Sequence, residues 1–299
     1  MKKTQLRPFV KWAGGKGQLI TIIRNTYPKD LGVKTNKYAE PFVGGGAVLF
    51  DILSNYDLDS IYISDINPEL INVYRIIRDN VNELSCLLSV MQNEYLPINN
   101  EERKQYYYRI RERINNLKIG GGEDISIEKA ALFVFLNRTC FNGLYRVNRK
   151  GLFNAPMGAY KNPRICDTDN LKNISLSLQK VKIVCGDYKD SFDFIDQNTF
   201  VYFDPPYRPI TETANFTSYT EDLFDDNAQI ELAKYVGLLD KKGAKVVVSN
   251  SDPKNHDVED DFFDDLYKKH RINRVQANRM INCNAESRGK ISELLIANY

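Results

Sequence analysis

The 299-residue sequence predicts an α/β fold, in which a mostly parallel sheet is interrupted by a helical insertion. Short strand-like runs alternate with helical patterns near the N-terminus, and the same alternation returns after about residue 175, which is typical of a parallel sheet. Between these two regions the hydrophobic period changes to that of successive helices. We therefore expect a sheet domain formed by residues 1–80 and 176–299, and an inserted domain formed by residues 81–175.

The N-terminal elements are bounded by glycine and proline. Residues 15–27 read as a helix, and residues 37–41 and 60–65 read as parallel strands. Glycines after the first strand permit the positive φ of a tight turn, so a helix is expected to begin near Ala47. Pro68 is suited to the first turn of the next helix, where an N–H group is not needed.

The insertion and the C-terminal half supply the remaining elements. The insertion is predicted to contain three helices, followed by two extended arms and the turn that joins them: 81–92, 101–118, 125–137, then 144–147, 152–155 and 148–151. The second half of the sheet is predicted to contain strands at 181–185, 199–203, 244–250 and 291–298, with helices near 188 and at 222–239.

The composition limits the possible functions. A hydrophobic fraction of 42% is enough for a substantial core, and the net charge of +2 does not by itself indicate nucleic acid. Five cysteines without Cys-x-x-Cys spacing, together with only two histidines, argue against a metal site. The sequence has no apolar run of about 18 residues and no signal peptide, so we expect a cytoplasmic protein without a membrane segment.

The tetrapeptide Asp204-Pro205-Pro206-Tyr207 directly follows the predicted strand at 199–203. It brings a carboxylate, a stiff backbone and an aromatic ring to the carboxyl edge of the sheet, where open α/β sheets bind ligands. Because prolines lack N–H donors, nearby carbonyls can accept other hydrogen bonds. A flat ring with an exocyclic amine would fit, since Asp204 and the Pro205 carbonyl could accept the amine protons while Tyr207 stacks on the ring. The alternative is an ordinary proline-rich turn with a capping aspartate.

A glycine turn follows the first predicted strand, in the segment A-E-P-F-V-G-G-G that begins at Ala39. Asp65 ends the next strand, nineteen residues after Gly46. An acidic residue about 20 positions after such a turn is placed to accept hydrogen bonds from ribose hydroxyls. The turn is neither the phosphate loop of kinases nor a strict G-x-G-x-x-G turn. A nucleoside without a pyrophosphate, such as S-adenosylmethionine (SAM), fits better.

The segment F-V-K-W-A-G-G-K at residues 9–16 contains the only tryptophan of the chain, beside two glycines and two lysines. Lys16 could meet a carboxylate, and Trp12 could cover an adenine or a methionyl chain. The alternative is an N-terminal anchor of the core.

Charge is distributed unevenly along the chain. Residues 138–164 carry six basic side chains and no acidic one, whereas residues 187–226 carry ten acidic side chains against two basic ones. The basic stretch also contains aromatic residues, a composition suited to phosphates and stacked bases. The alternative is a solvated charged surface.

These motifs, K-W-A-G-G-K, A-E-P-F-V-G-G-G and D-P-P-Y in that order, resemble the Dam family of DNA adenine-N6 methyltransferases. Residues 136–148 and 150–158 resemble the recognition hairpin of the members that modify the inner adenine of GATC. The similarity covers essentially the whole chain. It is greatest to the GATC methylases that accompany restriction enzymes.

The resemblance implies a Rossmann-like SAM-dependent methyltransferase sheet with an inserted helical DNA-recognition domain that carries a β-hairpin. It implies a catalytic role for the whole tetrapeptide 204–207. The implied SAM-binding residues are Trp12, Ala13, Gly14, Gly15, Lys16, Glu40, Phe42, Gly44, Gly45, Asp65, Asp187, Tyr188 and Asp204. For Asp187, a helix N-cap is the alternative role.

The resemblance also implies contacts with DNA. The predicted DNA-binding residues are Arg138, Phe141, Asn142, Leu144, Arg146, Asn148, Pro156 and Lys161. Phe141 would be a wedge in the base stack, where the family commonly has tyrosine, and Arg146 would read guanine because arginine pairs with its O6 and N7 atoms. Residues 215–219 either close over a flipped base or form a plain surface loop.

The expected partners follow from this interpretation. The substrates are double-stranded DNA and SAM, with S-adenosylhomocysteine (SAH) as product and no metal. A cognate restriction endonuclease would act on the same site without direct contact, and a monomer would suffice because one chain carries both sites. The alternatives are an RNA or protein-amide methyltransferase and a non-catalytic DNA-binding relative.

Overall fold

The computed structural model describes residues 5–121, 125–208, 224–278 and 290–299. Its strands are β1 (Lys37–Glu40), β2 (Ser60–Asp65), β3 (Val181–Cys185), β4 (Thr199–Phe203), β5 (Lys245–Ser251), β6 (Arg271–Asn278) and β7 (Lys290–Ala297). They form one sheet of order β3-β2-β1-β4-β5-β7-β6. The first five strands are parallel, and β7 is antiparallel to both β5 and β6. The predicted α/β class and mostly parallel sheet are confirmed.

The α-helices of the described ranges are α1 (Ile20–Arg24), α2 (Ala47–Asn55), α3 (Pro68–Asp79), α4 (Val81–Tyr95), α5 (Asn100–Ile119), α6 (Ile127–Thr139), α7 (Thr168–Leu178), α8 (Asp226–Lys241) and α9 (Phe262–Leu266). Several begin at side-chain caps that satisfy otherwise unpaired N–H groups. Asn67 accepts from the Leu70 N–H ahead of Pro68 in α3, and Asn99 forms a capping box with Glu102 in α5.

The strand order reverses between β1 and β4, which lie side by side at the centre of the sheet. Ligands of open α/β sheets bind outside the carboxyl ends of the strands at such a point. The glycine turn after β1 and the Asp-Pro-Pro-Tyr loop after β4 therefore begin at neighbouring positions of one sheet edge.

The insertion shares a hydrophobic core with one face of the sheet. Helix α6 is buried on nearly all sides, and its apolar residues join a cluster that includes β-strand residues and α3. It packs against α3, α4 and α5. Fully burying a Leu or Phe side chain contributes about 1.5–3 kcal/mol, so this helix fixes the insertion firmly against α3.

Four elements differ from the sequence predictions, and one of them is the short helix α9, which was not predicted. The segment predicted as a helix at 15–27 is divided into a 3-10 turn, Lys16–Gln18, and the short α1, since Gly15 is extended at ψ 127°. Helix α7 was not predicted, and it crosses residue 175. Strand β6 was not predicted because four of its side chains, at 271, 273, 274 and 276, are exposed, so it lacks an apolar alternation; among the described strands it pairs with β7 alone, at the sheet edge.

The predicted hairpin in the insertion is present. The turn at 148–151 closes with a hydrogen bond from the Gly151 N–H to the Asn148 carbonyl, 2.8 Å. Val147 and Phe153 form an antiparallel bridge across its arms. Within the described ranges, none of the helices has the length and apolar character required to cross a membrane.

Candidate active site

Asp204 stands at the carboxyl end of the fully buried strand β4. Its Oδ1 accepts a hydrogen bond from Ser249 Oγ on β5, 2.9 Å, and lies 2.9 Å from Lys16 Nζ. The carboxylate is thus held through one oxygen. The Asp204 side chain is still 21% exposed, so it can be reached from solvent. The sheet edge therefore presents a fixed hydrogen-bond acceptor.

Lys16 is buried beneath this carboxylate, with only 3% of its side chain exposed. Its ammonium donates to the Gly14 carbonyl, 3.0 Å, and to the Tyr207 hydroxyl, in addition to its ion pair with Asp204. An ammonium has three protons, and these three partners use them all. Lys16 thus joins the N-terminal glycine segment to the Asp-Pro-Pro-Tyr loop, and its predicted contact with SAM stays a prediction.

Tyr207 is held at its hydroxyl from two sides. It donates to Glu293 Oε2, 2.8 Å, while Lys16 Nζ lies 4.6 Å from the centre of its ring. Burial, followed by the charges of Asp204 and Glu293, raises the pKa of Tyr207 and keeps the hydroxyl protonated. The sequence analysis missed Glu293, a charged residue within the apolar final strand β7, and that isolated charge was the available signal.

The loop backbone is braced from α8. Gln229 Nε2 donates to the Pro206 carbonyl, 3.1 Å, and Asn250 Nδ2 donates to Gln229 Oε1, 3.1 Å. Both amide side chains are fully buried. Because the prolines supply no N–H of their own, carbonyl contacts of this kind fix the loop.

The glycine turn after β1 lies against Asp65 at the end of β2. Asp65 Oδ2 accepts from the Gly44 N–H, 3.0 Å, and Oδ1 accepts from the Asn67 N–H, 2.9 Å. Burial raises the pKa of Asp65, and these backbone donors oppose the rise. The carboxylate is therefore fixed in orientation, with further lone pairs available to a ligand hydroxyl.

Glycine is required at this turn by close packing as well as by conformation. Gly44 has φ +47°, and a Cβ on it would lie 2.8 Å from Trp12 Cδ1; one on Gly45 would lie 2.9 Å from Trp12 Cβ. The two predicted glycine-rich segments therefore meet. Ala13, Gly14 and Gly15 are exposed beside this contact.

Aromatic and apolar side chains follow the ends of β1, β2 and β3 at the same sheet edge as Asp65. The rings of Phe42 and Tyr188 stack with centroids 5.4 Å apart. Asp187 Oδ1 accepts from the Lys189 N–H, 2.9 Å, so Asp187 is the cap of the short turn Tyr188–Ser191. Ile66 is 65% exposed directly after Asp65; the sequence analysis missed it, although an apolar residue next to the expected ribose acceptor was the signal.

Glu40 lies below the cleft rather than at its surface. It is 2% exposed, and its Oε2 accepts from the Tyr38 hydroxyl, 2.8 Å. Burial raises the pKa of Glu40 well above its ordinary value, and the charge of Asp204 adds to the rise. The structure does not bring Glu40 to the surface that carries Asp65, and its predicted contact with SAM stays a prediction.

The hairpin presents several of the predicted DNA-binding residues. Phe141 is 53% exposed, and Asn142 is exposed with a left-handed φ of +56°. The Phe141 N–H is fixed by the Pro156 carbonyl, 2.8 Å. Pro156 and Lys161 are exposed, whereas Leu144 is only partly so.

Three predicted DNA-binding residues make contacts within the protein. Arg146 donates to the Asn154 side chain, 2.8 Å, and to the Asn154 carbonyl, 3.0 Å. Asn148 accepts from two N–H groups of the hairpin turn. Arg138 donates to the Phe9 and Pro8 carbonyls, and burial lowers its pKa. Arg138 therefore fixes the N-terminal segment, and its DNA contact stays a prediction.

Two further predictions are limited by the extent of the structure. Residues 215–219, predicted to close over a base or to form a surface loop, lie outside the described residues. In the part of the chain that is described, no group of three or more His, Cys, Asp or Glu side chains is placed to hold a metal ion.

Comparisons with known proteins agree with this geometry. The profile of the D12 class N6 adenine-specific DNA methyltransferases matches residues 12–281. The chain is 48% identical over 297 residues to the type II methyltransferase M.MjaIII of Methanocaldococcus jannaschii, covering 99% of this chain and 100% of that protein. It is 39% identical to the type II methyltransferase M1.LlaDCHI of Lactococcus lactis, covering 99% and 97%.

A DNA adenine methylase of Escherichia coli K12 is 33% identical over 295 residues, covering 99% of this chain and 95% of that protein. These similarities extend along the sheet and the insertion alike. They confirm the family that the motifs resemble. The chain belongs to the D12 class of N6 adenine-specific DNA methyltransferases.

Proposed function

We propose that this adenine-specific DNA methyltransferase takes its methyl group from SAM, releases SAH, and modifies the adenine of GATC in double-stranded DNA. The observation that supports the proposal most is the pairing of β1 with β4. It puts the glycine turn and the Asp204 carboxylate at one sheet edge, so a nucleoside and a base can meet there.

The cofactor side of the cleft fits SAM. Bound SAM would supply a methyl group activated by the adjacent sulfonium. Asp65, oriented by the Gly44 N–H, would accept from ribose hydroxyls, and the exposed Ile66 offers an apolar surface to adenine. Trp12 would line the methionyl side, and the stacked ring of Tyr188 the adenine edge.

Asp204 and the Pro205 carbonyl would orient the target amine. The lone pair of adenine N6 is delocalised into the ring, and hydrogen bonds from both N6 protons would help to localise it. Ser249 and Lys16 hold Asp204 in place before the substrate arrives, so little reorganisation is needed. Positioned acceptors of this kind accelerate a reaction without a strong base.

Tyr207 would stack on the extruded adenine. Flipping a base costs a few kcal/mol, and stacking on an aromatic ring returns about 1–3 kcal/mol. The Tyr207 hydroxyl is already held by Lys16 and Glu293. The ring therefore loses little further freedom on binding.

The hairpin would enter the DNA. Phe141, half exposed at its base, suits a wedge between bases, and Arg146 would exchange its bonds with Asn154 for guanine O6 and N7. We further propose that residues 81–175 act as the recognition domain and residues 1–80 and 176–299 as the catalytic domain. The protein would act as a monomer in the cytoplasm and protect host DNA from an endonuclease that cuts at GATC.

The test is methyl transfer from labelled SAM to two duplexes that differ only in GATC versus GTAC, with the product base identified by chromatography. We expect N6-methyladenine in the GATC duplex alone. Methylation of both duplexes would contradict the proposed specificity. Binding of SAM without transfer to either would contradict GATC as the target site and leave another DNA sequence, RNA or a non-catalytic role as the alternatives.

Asp204→Ala provides the matched control for this assay. We expect it to reduce transfer by at least about a thousandfold, since several catalytic contacts of about 1–3 kcal/mol each depend on this carboxylate. Circular dichroism and SAH binding would show that the fold is kept. Substantial transfer by the folded variant would contradict the role of Asp204.

A further inference from the structure

Trp12 packs between the glycine turn and the insertion. The edge of its indole contacts the turn so closely that a Cβ on Gly44 would lie 2.8 Å from Trp12 Cδ1. The face of the same indole stacks on Tyr145, with centroids 5.8 Å apart and planes inclined by 20°. Phe133 of α6 packs against both rings. A movement of Tyr145 therefore changes the space beside the cofactor cleft.

Tyr145 itself belongs to the first arm of the hairpin, between Leu144 and Arg146. Its two neighbours in the arm are partly exposed, and Arg146 donates to Asn154 of the second arm, 2.8 Å. The Tyr145 hydroxyl donates to Glu69 Oε2, 3.1 Å, in the first turn of α3. Burial, followed by the charge of Glu69, raises the pKa of Tyr145, so the hydroxyl stays a neutral donor.

Glu69, which accepts from Tyr145, is also connected to the turn of the hairpin. It forms an ion pair with Lys118 of α5, and Lys118 Nζ also donates to the Gly151 carbonyl, 2.6 Å. The first arm and the turn of the hairpin are thus both tied, through Tyr145 and Lys118, to one carboxylate. Glu69 lies four residues after Asp65, the predicted ribose acceptor.

We propose that Tyr145 is a positioning residue through which DNA binding at the hairpin and cofactor binding at the glycine turn are coupled. This rests on the proposed function, in which the hairpin binds DNA and the sheet edge beside the glycine turn binds SAM. DNA that holds the first arm of the hairpin also holds Tyr145, and Tyr145 in turn holds Trp12 against the glycine turn. Binding of either ligand then strengthens binding of the other by the same factor, as linkage requires.

The experiment measures this factor with SAH, so that no methyl transfer occurs. The dissociation constant of SAH is measured calorimetrically with and without a saturating GATC duplex, for the wild type, Tyr145→Leu, Tyr145→Phe and the control Tyr108→Leu. Tyr108 packs against Tyr107 and Arg111 of α5, so Tyr108→Leu controls for the loss of a tyrosine ring beside the second arm of the hairpin. Trp12 is the only tryptophan, so its fluorescence gives an independent signal from the proposed contact.

In the wild type we expect the duplex to tighten SAH binding about fivefold or more and to shift the Trp12 emission. Tyr145→Leu should reduce the factor to about one and abolish the shift, whereas Tyr145→Phe, which keeps the ring, should retain most of both. Tyr108→Leu should behave as the wild type. If Tyr145→Leu does not fold, Tyr145→Phe and Glu69→Gln, both expected to lower the factor by a smaller amount, decide the question.

Two results would overturn the inference. One is a factor of one in the wild type; the other is an unchanged factor in folded Tyr145→Leu or, where that variant does not fold, in both Tyr145→Phe and Glu69→Gln. These differ from failure of the proposed function, in which the wild type would bind neither SAH nor the GATC duplex. A merely structural role of Tyr145 would weaken both single affinities while leaving their ratio unchanged, which also contradicts the proposal.

Discussion

A single buried ammonium group, that of Lys16, organises the loop that carries Asp204 and Tyr207. Charged groups buried without partners are expensive, and paired ones become costly when one partner is removed. Here Asp204 and Glu293 lie on either side of the ammonium, at 2.9 and 3.7 Å. The position of the reactive acceptor therefore depends on charges contributed by three distant segments.

We expect Glu293→Gln to lower kcat about five- to tenfold while changing the SAH dissociation constant by less than about twofold. The neutral amide would weaken the bond from Tyr207, since hydrogen bonds to charged groups contribute about 1.5–3 kcal/mol and neutral ones less. Steady-state kinetics and calorimetry check this. Glu231→Gln, an exposed change on α8, is the control; parallel losses of kcat and SAH affinity would contradict the prediction.

Glu40 should give a recognisable pH dependence of stability. Its pKa in the folded protein is raised above the ordinary value of 4.5, chiefly by burial. At pH values between the ordinary pKa and the raised pKa, Glu40 keeps its proton in the folded state and loses it in the unfolded state. The free energy of unfolding therefore falls as pH rises, by about 1.4 kcal/mol per pH unit. Above the folded pKa the loss levels off.

We therefore expect Glu40→Gln to become progressively more stable, relative to the wild type, as pH rises from about 4.5. Urea denaturation across a pH series measures the free energy of unfolding of both proteins. Glu83→Gln, an exposed change on α4, should run parallel to the wild type. Relative stabilisation of the wild type with rising pH would contradict the raised pKa of the buried Glu40.

At the level of elements, the hairpin depends on helix α5. A two-stranded hairpin with few bridges is marginally stable alone. Asn115 of α5 bonds both backbone groups of Phe153, donating to its carbonyl at 3.0 Å and accepting from its N–H at 2.8 Å. The Tyr107 hydroxyl donates to the Ala155 carbonyl, 2.8 Å. The helix thus orders the second arm.

We expect Asn115→Ala to weaken binding of a GATC duplex about tenfold, because it leaves two backbone groups of the buried Phe153 without partners, at about 1–3 kcal/mol. Binding of SAH without DNA should change much less. Fluorescence anisotropy with a labelled duplex measures the effect. Asn116→Ala removes an exposed amide from the next position of α5, and equal losses in the two variants would contradict the prediction.

Elements with a regular hydrophobic period were predictable from the sequence. Strand β4 is an uninterrupted apolar run because both of its faces are buried. The start of α3 was predicted from Pro68, which suits the first turn of a helix. Strand β6 could not be predicted, since its exposed position leaves its side chains free to be polar. The turn residues at 148–151 predict the two arms of the hairpin, but they do not predict that the arms pack against α5.

At the scale of the whole molecule, the hairpin belongs to a basic stretch, residues 138–164, that contains six basic side chains and no acidic one. Arg149 and Lys150 are exposed at the turn of the hairpin. Residues 187–226, in contrast, carry ten acidic side chains and two basic ones. DNA binding that neutralises phosphates releases counterions, so affinity falls steeply with salt. The near-neutral net charge of +2 conceals this arrangement.

We expect Arg149→Gln to reduce the slope of log affinity against log salt concentration by about one, with nearly equal effects on GATC and GTAC duplexes. Anisotropy titrations from low to moderate salt check this. Lys234→Gln, at an exposed position of α8 paired with Glu231, should leave the slope unchanged. An effect confined to the GATC duplex would instead indicate that Arg149 contacts a base.

The sequence by itself determined the reaction class through the resemblance of its ordered motifs to the Dam family. It also predicted that the glycine turn, Asp65 and Asp204 share one sheet edge, because each lies at or just after the end of a strand. Only the tertiary structure decided what holds these groups. Glu293 meets Tyr207 across 86 positions of sequence, and Tyr145 meets Trp12 through the packing of the insertion on the sheet. Local periodicity specifies elements, whereas contacts between distant elements depend on how the complete core packs.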